Sequence, residues 1–324
     1  MDRNSVKKVK SYANIAIIKY WGKKDVNKMI PATSSISLTL ENMYTETEIN
    51  FITEKESLEV LGEVGDLFYL NSKLQNKEQR DKLSKVIDLF RENKKDIVKI
   101  NTRNNMPTEA GLSSSSSGLS SVIKACNELF EKKLSRSELA KMSKFASGSS
   151  SRSFFGPVSA WDKDTGDIFE IETELRFGMI MLVLNDQKKI ISSRKGMELC
   201  MNTSTNFQEW IRQSEIDYIN MKNYLKENNF EKIGILTEEN AMRMHNTTLT
   251  ANPPFSYLTK ESEKAMNDII ELRGKGEKCY FTMDAGPNVK VLCLEKDLER
   301  LTEIFEKKYK VISSKAKVVT DENN

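Results

Sequence analysis

One histidine, His245, serves the whole 324-residue chain. A Ser-His-Asp hydrolase would depend entirely on it, and a metal site built from several histidines is excluded. Its setting, Ala241-Met-Arg-Met-His245-Asn, reads as the end of a helix, where packing is the expected role. Cysteine is also scarce. Cys126, Cys200, Cys279 and Cys293 contain no CxxC spacing, so zinc knuckles and redox dithiols are not indicated. Cys126 falls on an apolar helical stripe and Cys279 and Cys293 in strand-like runs, so these three are expected as buried structural thiols. No window approaches the ~18 apolar residues of a membrane-crossing helix. The opening Met1-Asp-Arg-Asn-Ser-Val-Lys-Lys has no apolar core of a secretory signal, and a cytoplasmic location is expected. Long basic blocks are absent too. A net charge of +3, with lysines interleaved among acids, gives no ground for a nucleic-acid partner.

What the chain does have is serine in an unusual place. The stretch Pro107-Thr-Glu-Ala-Gly111-Leu-Ser-Ser-Ser-Ser-Ser-Gly118 is followed by Leu119, Val122, Ile123, Cys126 and Phe130 on one helical face. A serine run alone reads as a linker. Here the extended segment Ile97-Val-Lys-Ile100 enters it and an amphipathic helix leaves it. It is therefore read as a small-residue loop feeding a helix N-terminus, a place where free N–H groups and the helix dipole favour an anion. The hydroxyls of Ser113, Ser114, Ser115, Ser116 and Ser117 add donors for phosphate oxygens and candidate Mg²⁺ ligands. No Gly-Lys-Ser/Thr closes the loop, so it is not a Walker A motif.

Strand-like and helix-like segments mix without regular βαβ alternation, which predicts an α+β fold. Val6–Ile18 reads as strands with a turn. Pro31–Leu40 becomes a strand with Ile36, Leu38 and Leu40 on one face. Glu46–Phe51 and Ser57–Leu61 read as further β ribbon. Lys77–Asn93 is an amphipathic helix, and Ser135-Arg-Ser-Glu138 is a capping box before another. Met179–Leu184 has the length of a buried strand. Helices are expected around 207–225, 230–244 and 260–273. Strand arms then flank the turn Asp284-Ala-Gly-Pro287, and a last helix and strand follow. A division into two lobes, 1–184 and 185–324, is expected.

Three further segments carry chemistry. Asn14-Ile-Ala-Ile-Ile-Lys19-Tyr20-Trp21-Gly22-Lys23 ends a strand in a turn crowded with cations and aromatics. Ser147-Gly-Ser149-Ser-Ser-Arg152-Ser sets a lone arginine among small residues, where its planar fork is free to grip a carboxylate or phosphate. Phe281-Thr-Met-Asp284-Ala-Gly-Pro-Asn288 ends an apolar strand in an aspartate placed to act on a hydroxyl. Taken singly, each is also an ordinary basic turn, polar loop or reverse turn.

Taken together, in this order and wording, they resemble the mevalonate diphosphate decarboxylase family. That family belongs to the superfamily of small-molecule kinases that includes galactokinase, homoserine kinase, mevalonate kinase and phosphomevalonate kinase. The resemblance runs from Val9 to about Leu294. It includes Ser-Ser-Ile-Ser-Leu-Thr-Leu, Pro-Thr-x-Ala-Gly-Leu-Ser-Ser-Ser and the segment Lys188-Lys189-Ile-Ile-Ser192-Ser193. Lys-Tyr-Trp-Gly-Lys and Asp-Ala-Gly-Pro-Asn are the wording of the decarboxylase rather than of its kinase relatives.

The resemblance implies a ribosomal-protein-like N-terminal lobe and a ferredoxin-like C-terminal lobe with the active site between them. It implies ATP-dependent decarboxylation of mevalonate 5-diphosphate to isopentenyl diphosphate, with Mg²⁺, in a homodimer. Asp284 would orient the C3 hydroxyl and take its proton, Lys189 would neutralise the transferring phosphoryl group, and Arg152 would hold the substrate carboxylate. Asn14, Lys19, Tyr20, Trp21, Lys23, Ser147, Ser149, Ser192 and Ser193 would bind substrate. Gly111 and Ser113–Ser117 would cradle ATP, with Ser115 or Ser116 toward the metal. A monophosphate substrate, C3 kinase chemistry alone and a non-catalytic nucleotide-binding homologue are the alternatives. Glu109 stands where the family has a small residue, and its side chain is expected to point to solvent.

Overall fold

The structure is a computed structural model and describes residues 5–25, 28–106, 114–184 and 191–320. Among the described residues, the first part of the chain holds nine strands: β1 (Lys7–Ile18), β2 (Lys23–Asp25), β3 (Ile30–Pro31), β4 (Ser35–Phe51), β5 (Leu67–Leu70), β6 (Lys73–Leu74), β7 (Val98–Asn104), β8 (Val158–Trp161) and β9 (Ile168–Glu170). Its helices are α1 (Glu54–Leu61), α2 (Lys77–Ile87), α3 (Ser114–Leu129) and α4 (Arg136–Ala146), with a 3₁₀ segment, Gly148–Phe154, after α4. All these strands except the β2–β3 ribbon form one sheet in the order β6-β5-β7-β4-β8-β9, with β1 also paired to β4.

The second part adds β10 (Phe177–Val183), α5 (Ser193–Thr203), α6 (Phe207–Lys226), α7 (Phe230–Leu249) and α8 (Lys260–Gly274). After these come β11 (Tyr280–Met283), β12 (Val289–Leu294), α9 (Leu298–Glu306) and β13 (Lys310–Lys315). Its four-stranded sheet runs β11-β12-β10-β13 with every pair antiparallel. The expected α+β class with two lobes is what the chain adopts.

Three local readings change. Lys7–Ile18 is one strand, kept continuous past irregularities near Tyr12/Asn14 and Ala16/Ile18. Ser57–Leu61 is helical, because Thr53 and Glu56 form a capping box at the start of α1 and override the local apolar pattern. Finally, β10 pairs with β12 and β13, so the sheets change over before Phe177 rather than at 184. An apolar strand gives no sign in sequence of which sheet will take it.

The core explains why the lobes sit as they do. Ile15, Ile17, Ile36 and Leu38 from the first sheet share one buried cluster with Phe177, Met179 and Leu292 from the second and with Met221 and Ile233 from α6 and α7. Burial of side chains of this size stabilises by ~1.5–3 kcal/mol each, so this seam fixes β1 against the second lobe. All four cysteines are buried and free, as expected for three of them.

Candidate active site

Asp284 follows β11 directly, in a turn closed by the Gly286 N–H donating to the Asp284 carbonyl at 2.7 Å. The β11–β12 register sets Thr282 opposite Lys290. Side chains two apart share a sheet face, so Lys290 points to the same side as Asp284. Its Nζ lies 3.2 Å from Asp284 Oδ2. From the other lobe, Lys19 at the end of β1 donates from Nζ to Asp284 Oδ1 at 2.9 Å and to the Ala16 carbonyl at 2.8 Å. Both lysines are buried, whereas the Asp284 side chain keeps 23 % of its exposure. The carboxylate therefore forms the accessible surface of a buried charge cluster.

Burial works to raise the Asp284 pKa, but the charges and hydrogen bonds of Lys19 and Lys290 outweigh it and hold the carboxyl below the usual carboxylate range. For Lys19, burial lowers the ammonium to about 8, with Lys290 and Arg152 adding repulsion and Asp284 opposing them. His245 is nearby but stays neutral. Burial, then the Lys19 charge, pushes its pKa down to about 3, and its ring stands edge-on to Tyr257.

Helices of the second lobe lock the Lys19 backbone. Its N–H donates to Asn240 Oδ1 at 2.8 Å, and Asn240 Nδ2 donates to Asp217 Oδ2 at 2.8 Å. Arg243 meets the same carboxylate oxygen at 2.7 Å, and Gln213 Nε2 donates to Oδ1 at 3.1 Å. Asn240 and Asp217 are positioning residues that the sequence reading did not find.

Arg152 lies in the 3₁₀ segment and is buried. Its Nε donates to Ser37 Oγ at 3.0 Å and its Nη1 to Ser35 Oγ at 2.6 Å. The alternation of β4 thus presents serines to the arginine and Ile36 and Leu38 to the core. Burial lowers the guanidinium to about 10, with Tyr20 and Asp284 opposing, and it remains a cation at neutral pH. Asn14 fastens the same segment, its Nδ2 donating to the Ser149 carbonyl at 2.9 Å and to Ser153 Oγ at 2.8 Å. Its buried Oδ1 has no hydrogen-bond partner among the described residues.

Tyr20 packs on Trp161 with ring centroids 5.2 Å apart. Burial raises its pKa to about 12 against the opposing fields of Arg152 and Arg194, so it is a phenol and a donor. Burial, followed by the Arg194 charge, lowers the Lys23 pKa, which puts those two cations in one neighbourhood. Arg194 escaped the sequence reading although it directly follows Ser193. Trp21 is different: it is buried among Met197, Cys200 and Trp210, and its indole N–H donates to Thr247 Oγ1 at 3.0 Å. Packing accounts for this residue.

The serine run divides by helical phase. Ser116 and Ser117 are fully buried. The Ser116 hydroxyl accepts from the Asn14 N–H at 3.3 Å, and Ser117 Oγ pairs with Thr45 Oγ1 at 2.8 Å. Their side chains seat α3 on the sheet, whereas Ser115 is exposed. Ser147 and Ser149 share a hydrogen bond at 3.1 Å near Asn14 and Arg152. Ser192 caps α5, accepting from the Lys195 N–H, and Ser193 opens that helix. Lys189, Gly111, Ser113 and Glu109 lie outside the described residues, as does the Ser114 side chain.

Two family patterns together match most of the chain. The diphosphomevalonate decarboxylase-like N-terminal domain covers residues 11–174. The mevalonate 5-diphosphate decarboxylase C-terminal domain covers 179–324. The chain belongs to the diphosphomevalonate decarboxylase family. Among solved structures, the mevalonate pyrophosphate decarboxylase of Streptococcus pyogenes is 61% identical over 98% of both chains, with a TM-score of 0.92. A structure of MDDEF in complex with MVAPP, AMPPCP and magnesium is 36% identical over 97% of both chains, with a TM-score of 0.88. The diphosphomevalonate decarboxylase of Schizosaccharomyces pombe is 31% identical over 90% of this chain and 79% of its own length. Among the described residues, the fold brings Lys19 of the first lobe and Asp284 and Lys290 of the second to one place.

Proposed function

We infer that the chain catalyses the reaction of its family, ATP-dependent decarboxylation of mevalonate 5-diphosphate to isopentenyl diphosphate, CO₂, ADP and phosphate. The observation that carries this reading is the Asp284 carboxylate held at the lobe seam by Lys19 and Lys290. The MDDEF relative, whose complex contains MVAPP and AMPPCP, supports the choice of substrates.

A tertiary hydroxyl leaves poorly, and its phosphate ester leaves well. Asp284 is ionised across the working pH range, so it accepts the hydrogen bond of the C3 hydroxyl and aims its oxygen at the γ-phosphorus. Phosphoryl transfer through a loose transition state needs positioning more than a strong base, which suits a carboxylate of low pKa. The proton passes to Asp284 as the O–P bond forms. Arg152, clamped by Ser35 and Ser37, grips the substrate carboxylate with its remaining N–H donors and sets the C–C bond for cleavage. Lys23, Arg194 and the Tyr20 hydroxyl take the diphosphate. When the 3-phosphate departs, the electron pair of the breaking C–C bond forms the alkene and CO₂ is released. Anionic groups around C3 stabilise the positive character that develops there.

ATP phosphates fit the start of α3, where the helix dipole and the exposed Ser115 point outward. Magnesium, present in the MDDEF complex, suits a site of phosphate oxygens, water and one hydroxyl. Among the described residues no cluster of three His, Cys, Asp or Glu offers a protein cage for a metal, which fits a metal held mainly by nucleotide. When bound it neutralises charge on the phosphates. Lys189 is kept as the further cation for the transferring group, on the family resemblance. The reading includes a cytoplasmic homodimer on the same ground, and sedimentation would test the dimer.

The test is incubation with ATP, Mg²⁺ and carboxyl-labelled mevalonate 5-diphosphate, following ADP, phosphate and labelled CO₂ together, with Asp284→Asn alongside. Equal release of all three, lost in the variant, is expected. ADP without CO₂ would replace the decarboxylase with a C3 kinase.

A further inference from the structure

A cavity of ≈ 480 Å³ opens between the second half of α3 and the start of α4, and no residue of the site above lines it. Its volume is that of a small-ligand pocket. Lys124, Asn127 and Glu128 of α3 line it together with Leu134, Arg136 and Phe155. Lys124 is only 3 % exposed, and its buried Nζ has no hydrogen-bond partner among the described residues. The Phe154 ring lies beside it, 5.5 Å from Nζ to centroid. Burial and then the charge of Arg136 lower this ammonium to about 7. Arg136 stacks 4.9 Å over the Phe155 ring and donates to the Val319 carbonyl at 2.7 Å.

A buried amine without a partner, beside a second cation, is costly to keep. The N-terminal end of the α4 dipole adds positive potential. Three carboxylates stand around this corner and none bonds Lys124. Glu128 lines the wall, Glu138 is folded back on the Ser135 N–H at 2.8 Å, and Glu170 lies in the field of Arg136. Leu134, Leu139 and Phe155 supply an apolar floor.

We propose that this cavity is a second binding site, taking a small organic anion whose phosphate or carboxylate head pairs with Lys124 and whose short apolar body lies on Leu134, Leu139 and Phe155. Lys124 is the group that such a ligand completes, and Arg136 adds long-range attraction.

The test reads Lys124 itself, so it does not depend on turnover. Full-length protein is labelled with ¹³C at the lysine ε-carbons, and the Lys124 signal is the one that vanishes in Lys124→Met. Lys124→Arg gives the same assignment if the methionine variant fails to fold. The midpoint of that signal is followed against pH with inorganic phosphate, with isovalerate, and with chloride at equal ionic strength. An upward move of about one pH unit or more with phosphate or isovalerate, and none with chloride, is the expected result. Response to phosphate alone identifies a phosphate head, and response to isovalerate alone a carboxylate head with an apolar body. A midpoint unmoved by either probe overturns the proposal. So does a midpoint already near the ordinary 10.5 in the ligand-free protein, which would mean that the chain's own carboxylate fills the place.

Discussion

Lys19 and Asp284 stand 265 positions apart in the chain and 2.9 Å apart in space. Lys290 meets the opposite carboxylate oxygen, so two cations share the work of keeping Asp284 ionised. Removing one should weaken but not abolish that hold. In Lys290→Met the acid limb of kcat against pH should move upward by about one to three pH units, the range for loss of a close opposite charge. A profile that keeps the wild-type acid limb would show that Lys290 does not act on the carboxylate.

The alkaline side belongs to Lys19. Burial holds its folded pKa at about 8, below the ordinary 10.5, so its charge is present below pH 8 and lost as pH rises through it. Asp284 then loses its nearer partner. kcat/KM should fall above about pH 8, and Lys19→Arg should displace that limb upward, because a guanidinium does not titrate there. No limb from His245 is expected near pH 6.5, since burial keeps that ring neutral down to about 3. Initial rates across pH 5–10 test both statements.

Ser35 and Ser37 should matter to catalysis although they are expected to touch no substrate. With both changed to alanine, the Arg152 fork loses its two hydrogen-bond anchors. A misplacement of about 1 Å at a reacting centre costs up to ~10²-fold. The double variant should lower kcat/KM by roughly 10- to 100-fold, and its melting temperature should fall as well, because the buried guanidinium is left without those acceptors. Restoring one serine should recover part of the loss.

Two glycines give opposite expectations. A Cβ on Gly148 would stand 2.7 Å from the Tyr20 ring, so Gly148→Ala should destabilise by about 1–3 kcal/mol through overpacking. On Gly118, inside α3, the same Cβ meets nothing within 4 Å. Gly118→Ala should therefore stabilise by up to ~1 kcal/mol through helix propensity. Urea titrations of the two variants should move in opposite directions.

Much of this architecture was legible in sequence because it rests on short-range rules. Capping residues, helical stripes and the apolar run of β10 place most elements within a few residues. The α1 segment was misread although Thr53-x-x-Glu56 was present, because its alternating pattern outweighed the cap. The site was less legible. Lys290 hides in the strand Val289-Lys-Val-Leu-Cys-Leu294, where a lone lysine in an apolar run looks like a face turned to water. The pattern of Pro31–Leu40 shows Ile36, Leu38 and Leu40 on one face but not that the serine face of β4 is buried as well. Asn240 and Asp217 sit on helices far along the chain, and no local pattern shows that they meet Lys19. Ser116 and Ser117 show the converse error: a run of like residues suggested one role, and the turn of a helix divided it.

The cluster joining Ile15, Leu38, Phe177 and Met221 has a consequence for how the molecule comes apart. Neither lobe owns that cluster, so cutting the chain near 174 would strip each half of the neighbours that shield its greasy flank. Separately expressed halves should aggregate, and the intact chain should show one calorimetric peak rather than two.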